Sequence, residues 1–286
     1  MVNPVSNRAW WLLTPVLALM GFVAVIPLLA VFNYSFHDIF TVNEAYWIGL
    51  EWYAEITRNP TFWASLGRSA LFSAIALGIQ VPLGIWLALL LLKMDRFAVP
   101  VLMLVALPLV VPWNMIAGMW IQLVHPDTGV AGQVMTALGI AFDYKFTALH
   151  TWVLIVLADT WHWIGLVVIL AYAGLSAIPH AYHQAAAIDG ASRMAVFRYI
   201  ELPRITGALS IVLLLRFIDS FMIYTEAFSI NAGGPNNATT FLSLELAADI
   251  GSYTYGRAAA RAMLDVLIVL TVAWAFVRIR SSEARQ

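Results

Sequence analysis

Three groups of polar side chains interrupt long apolar stretches of this sequence, and their types could do chemistry. Asp159, His162 and Trp163 stand at i, i+3 and i+4, which puts a carboxyl, an imidazole and an indole on one face of a helix. Arg216, Asp219, Ser220 and Ile223 form a second stripe, with Tyr224 and Glu226 at its edges. Trp113, Asn114, Trp120 and Gln122 form a third group. A polar group in hydrocarbon is costly, so such residues face the interior of a helix bundle or a wet cavity. A proton relay could run through Asp159, Asp219 and Glu226. Asp159 and His162 could supply part of a metal site, but two ligands are a weak set, and neither H-E-x-x-H nor G-x-S-x-G occurs. The remaining chemistry is recognition of a polar solute by hydrogen bonds and ring faces. Each group also has a structural alternative. Arg216 and Asp219 could pair at i, i+3; Asp159 and His162 could bond each other; Trp163 and Tyr224 could simply pack. Asp265 lacks a stripe of polar neighbours and reads as a buried helix–helix contact.

The elements that must position these groups are membrane spans. Of 286 residues, 62% are hydrophobic and only 11% are charged. Soluble domains run at about 45–50% apolar and about 25% charged, so this composition excludes a soluble enzyme. Disorder is excluded too, since disordered chains are poor in apolar residues. A net charge of −1 leaves no nucleic-acid footprint. The chain has no cysteine, hence neither disulfides nor thiol chemistry. A spanning helix needs about 20 apolar residues, and six such stretches occur, near 10–32, 69–92, 98–124, 150–178, 206–228 and 262–277. The first is too long for the core of a signal peptide and no A-x-A site follows it, so it is expected to be retained. Runs such as 83–92 do not alternate, which excludes a β-barrel. The expectation is an all-α integral membrane protein whose single transmembrane domain covers 1–286.

Charge sets the expected orientation. The N-terminus, the turn at 93–97, the loop at 179–205 and the C-terminus hold Arg8, Lys93, Arg96, Arg193, Arg198, Arg204, Arg278, Arg280 and Arg285. The longer intervening loops hold only Arg58, Arg68, Lys145, Arg257 and Arg261. Basic residues mark the cytoplasmic side, so both termini are expected there. Trp10, Trp11, Trp47 and Trp52 stand near span ends, as in an interfacial aromatic belt.

The loop between the fourth and fifth spans is the most informative segment. Alanines at 185–187 favour helix, Gly190 breaks it, and Ala195, Val196 and Tyr199 return at helical spacing before Pro203 is expected to end the second helix. An apolar helix exposed at the membrane surface needs a partner. Ala185, Ala186, Gly190, Ile200, Leu202 and Pro203 fall at the spacing of E-A-A, three residues, G, nine residues, I, one residue, L-P. This resembles the signature of binding-protein-dependent ABC importer permeases, and Ile188-Asp189-Gly190-Ala191 resembles its carbohydrate branch. Gln184 departs from the family's usual Glu and removes a charge that could pair with the ATPase. Asn33-Tyr34-Ser35-Phe36, Gly49-Leu50-Glu51-Trp52-Tyr53 and Gly233-Gly234-Pro235 with Thr239-Thr240 extend the resemblance to the maltose-transporter-like subunits. The stretch 217–226 looks most like the polyol and glycerol importers.

The resemblance implies a type I ABC importer permease fold with six transmembrane helices and a cytoplasmic coupling helix, in the bacterial inner membrane. It implies a second, similar permease subunit, two cytosolic ATP-binding subunits and a periplasmic substrate-binding protein. ATP and Mg would sit on the ATPases, with no cofactor or catalytic residue on this chain, which has no G-x-x-x-x-G-K-[ST] loop. Gln184, Ala185, Ala186, Ile188, Asp189, Gly190 and Ala191 would seat on the ATPase. Closure of the ATPases would rock spans three to five into an outward-facing state. Substrate contacts would fall to Asn114, Asp159, His162, Trp163, Arg216, Asp219, Ser220 and Tyr224. A sugar or polyol offers hydroxyls to Asp, Asn and His and C–H faces to Trp and Tyr. A phosphate would want several cations, and Arg216 is the only one inside the spans, which favours an uncharged solute. A proton-coupled carrier is the rival reading, but such folds show paired repeats that are absent here.

Overall fold

The structure is a computed structural model that describes residues 8–41 and 44–283, with side chains described at 11–39 and 44–278. Arg285 lies outside the described residues, as do the side chains of Arg8, Trp10 and Arg280. Helices Trp11–Tyr34, Pro60–Leu91, Ala148–Ser176, Arg193–Asn231 and Tyr255–Arg278 are long and apolar enough to cross a membrane. Asp95–Val110 and Trp113–Val124 are apolar enough together to cross and meet at a bend of 103°, which makes six spans when the pair is taken as one. The bend follows from Val111-Pro112. The residue before a proline avoids the α region, and both Val111 and Pro112 are extended.

The other spans differ from the sequence expectation for local reasons. The second starts at Pro60 because its polar first turns find partners within the chain. Arg68 Nη1 donates to the Thr240 carbonyl at 3.1 Å, Ser69 Oγ accepts from the Leu242 N–H at 3.1 Å, and Ser65 donates to the Glu245 carboxylate. In the fifth, the regular helix Leu202–Phe221 stops, and a short helix Thr225–Asn231 follows. Met222 and Tyr224 carry non-helical dihedrals between them. Pro203 does not end the preceding loop helix as expected. A π-type turn, Phe197–Glu201, runs directly into Leu202–Phe221. The first span holds the same device, Gly21–Val25 ahead of Pro27. The wider turn accommodates the carbonyl that the proline ring would otherwise strike, so the helix axis continues.

Two compact units are present among the described residues: 8–63 with 246–274, and 64–245 with 275–283. In the first, His37–Thr41 and Glu44–Trp47 form an antiparallel hairpin in which His37 faces Trp47 and Ile39 faces Ala45. Phe36 stacks on Trp47 at 5.3 Å. Helix Glu51–Arg58 closes on this strand, with Trp52 Nε1 donating to the His37 carbonyl at 3.1 Å and the Tyr53 hydroxyl to Ser35 Oγ at 2.7 Å. Asp249 receives Arg261 Nε at 2.6 Å and Arg257 Nη1 at 3.5 Å, while Arg257 Nε reaches Glu55 at 3.4 Å. Asp265 is buried, as expected for a helix contact.

In the second unit, Ala148–Ser176 is the central element; 61% of its apolar window is buried, against none in the first span. Phe72, Ile116, Leu154, Ile155, Ala158 and Phe241 form one apolar cluster around it. Ile85, Ala88, Ala171, Leu175, Ile205 and Leu209 form another. Gly165 marks the closest crossing. A Cβ there would lie 2.7 Å from the Val105 carbonyl oxygen and 3.0 Å from Ala106 Cα. Only glycine lets the bent span approach that near.

Candidate functional site

Within the second unit, the start of Trp113–Val124, the middle of Ala148–Ser176 and the break after Phe221 converge. They enclose a cavity of about 140 Å³ whose wall includes Trp113, Asp159, Trp163, Asp219, Tyr224 and Glu226. The break in the fifth span builds this wall. Ending the helix at Phe221 turns Ile223 and Tyr224 into the cavity and starts a new helix whose first turn carries Glu226. Three carboxylates and three aromatic rings therefore share one small enclosure.

Arg216 lies behind the wall and is wholly buried. Its Nη2 pairs with Asp159 Oδ2 at 2.6 Å, its Nη1 pairs with Asp219, and its Nε donates to Gln80 Oε1 at 2.9 Å. Gln80 Nε2 in turn donates to Asp159 Oδ2 at 2.7 Å. The guanidinium carbon stands 4.6 Å from the centroid of the Trp163 ring. Burying a charge costs several kcal/mol unless it is paired and its remaining hydrogen-bonding capacity is filled. A planar guanidinium can meet three partners and a ring face together, which a lysine ammonium cannot. The network joins the second, fourth and fifth spans.

The structure distributes the expected site residues unevenly. Asp159, Trp163, Asp219 and Tyr224 line the cavity. Arg216 holds two of them from behind. Ser220 is buried and bonds Ser73 at 2.8 Å, away from the wall. His162 is buried edge-on to Trp163, with ring centroids 5.0 Å apart. The alternative of an Asp159–His162 bond is not realised; Asp159 is taken by Arg216 and Gln80, and His162 Nδ1 has no partner among the described residues. Asn114 is exposed and does not line the cavity, whereas its neighbour Trp113 does. Gln80, Trp113 and Glu226 complete the arrangement. Trp113 and Glu226 carried a signal in type and place, but Gln80 sits alone in an apolar run and is found only through its partners.

The loop between the fourth and fifth spans has a defined form. Pro179 precedes helix His180–Ile188, and Asp189 ends it. Gly190 adopts φ +65°, a left-handed conformation that glycine reaches without strain. The Ala191 N–H then bonds the Ala186 carbonyl at 2.9 Å and the Gly190 N–H the Ala187 carbonyl at 3.2 Å, which closes the helix end. Ser192 Oγ caps the next turn by accepting from the Ala195 N–H at 3.2 Å. Ala186 faces the chain, while Gln184, Ala185, Ile188, Asp189, Gly190 and Ala191 are exposed. Ile188 is 87% exposed and Met194 70%, an apolar surface that no described residue covers.

Residues 80–280 match the family model of the binding-protein-dependent transport system inner membrane component. The chain belongs to this family. It is 27% identical over 276 residues to the trehalose/maltose transport system permease protein MalF of Thermococcus litoralis, covering 96% of this chain and 94% of that one. It is 28% identical over 242 residues to the diacetylchitobiose uptake system permease protein DasB of Streptomyces coelicolor, covering 82% and 73%. Among solved structures, a bacterial ABC transporter that imports the acidic polysaccharide alginate superposes with a TM-score of 0.81 at 19% identity over 96% of both chains. That likeness shows a shared ABC importer permease fold. The protein is thus a multi-pass integral membrane permease component of a binding-protein-dependent importer, and nothing supports the proton-coupled carrier.

Proposed function

We propose that this permease carries a carbohydrate-type solute, delivered by a periplasmic binding protein, across the bacterial inner membrane into the cytoplasm. A second, similar permease supplies the other half of the path, and two cytosolic ATPases, which hold ATP and Mg, drive alternating access. The observation that carries the reading is the cavity wall. Asp159 and Asp219 offer acceptors to hydroxyls, while Trp113, Trp163 and Tyr224 offer ring faces to the C–H surface of a sugar. The names of the two similar permeases, for trehalose/maltose and diacetylchitobiose, agree with it. The exposed helix ending at Gly190 is the element that would seat on an ATPase, and the basic loops would face the cytoplasm. The test is ATP hydrolysis by the complete assembly with its binding protein in liposomes. Stimulation by one saccharide of a panel, weakened in Trp163→Ala, is expected. Stimulation by amino acids or other solutes lacking a ring of hydroxyls, with no response to any saccharide, would overturn it.

A further inference from the structure

The cavity wall carries an unequal count of charge. Asp159, Asp219 and Glu226 stand on it, and the one cation near them among the described residues, Arg216, is behind the wall with its guanidinium given to Asp159, Asp219, Gln80 and the Trp163 face. Glu226 is different from the other two. It is 7% exposed, it lines the cavity, and no other described residue donates a hydrogen bond to it or pairs with it. A buried carboxylate without a countercharge is costly, and the cost is relieved by whatever brings a cation to it. Tyr224 stands beside it, stacked on Phe228 with centroids 5.4 Å apart, and Trp113 and Trp163 complete the aromatic side at 6.3 Å from each other. Carboxylate and ring faces together are the surroundings that a desolvated ammonium prefers.

We propose that Glu226 is the specificity-determining carboxylate of this cavity and that it receives a protonated amino group on the solute, so that the permease takes amino sugars. The proposal rests on the carbohydrate reading and sharpens it. The lone Arg216 already disfavoured an anionic solute; the unopposed carboxylate moves the class from uncharged to cationic. A uronate or a sugar phosphate would meet three carboxylates and, among the described residues of this wall, no free cation, and is disfavoured. A neutral sugar binds the rings and hydroxyl acceptors but leaves Glu226 unanswered.

The test compares two solutes with one skeleton and different charge. A disaccharide of glucosamine and its N,N′-diacetylated form are taken up by the complete transporter, with binding protein and ATPases, in liposomes at neutral pH, where the carboxylate and the ammonium coexist. The native protein is expected to favour the protonated disaccharide by about tenfold or more, the scale of one charge-assisted contact in a desolvated site. Glu226→Gln, which keeps shape and removes charge, is expected to bring the ratio close to one, and Glu226→Asp to keep part of it. A ratio is insensitive to how much transporter assembles. Equal uptake of both forms by the native protein, or a preference that Glu226→Gln leaves unchanged, would overturn the proposal while leaving the carbohydrate reading in place. Uptake of neither, with other saccharides also inactive, would remove both.

Discussion

Arg216 holds Asp159, Asp219, Gln80 and the Trp163 ring at once, so its replacement should disturb folding before it disturbs recognition. Arg216→Met leaves Asp159 buried without its partner, at a cost of about 3–5 kcal/mol. The thermal midpoint of the purified assembly should fall clearly, and Asp159→Asn in the same chain should restore part of it. Asp159→Ala is likewise a destabilising change rather than a clean loss of a solute contact. Trp163→Ala removes a ring from the cavity wall and the cation–π partner of Arg216, which is worth about 1–2 kcal/mol in a desolvated site. Half-maximal uptake should need roughly tenfold more solute, a shift of about 1.4 kcal/mol. The i, i+3 spacing of Arg216 and Asp219 made their pairing legible in the sequence. The link from Arg216 to Gln80 was not, because a single glutamine in an apolar helix has no local pattern. Asn114 illustrates the reverse: a polar type in a span, adjacent to a cavity residue, yet turned away from it.

At the scale of elements, the apolar runs overlap the long helices, while the breaks and starts escaped. The break at Val111-Pro112 interrupts a stretch read as one span, 98–124, although proline restrains the residue before it. Met222–Tyr224 carries neither proline nor glycine, so only tertiary packing stops the helix there. The start at Pro60 was hidden because Ser65, Arg68 and Ser69 look like a loop until Thr240, Leu242 and Glu245 are found opposite them. Gly165→Val should lower the thermal midpoint and uptake together, because its Cβ would meet backbone atoms of Val105 and Ala106 that no rotamer change can move. Gly190→Ala places a side chain at φ +65°, costing about 1 kcal/mol. It should distort the helix end and raise the ATP hydrolysed per solute carried, read by measuring both rates on one preparation.

At the scale of the whole molecule, the basic loops predict a fixed orientation, and the absence of cysteine gives a clean background for testing it. Met94→Cys in the turn before the bent span should react with a membrane-impermeant maleimide only after cells are opened. Lys145→Cys should react in intact spheroplasts. The reverse pattern would invert the topology. The Gln80–Asp159–Arg216–Asp219 network has a kinematic consequence. It works as a rivet through the second, fourth and fifth spans, and drawing it apart would strand a guanidinium or a carboxylate in a medium that cannot solvate either. Those spans are therefore expected to travel as one block through the cycle. The freedom to open and close belongs to the joints beside the rivet, the extended pair Val111-Pro112 and the unwound turn at Met222–Tyr224, which can swing their helices without any charge leaving its partner.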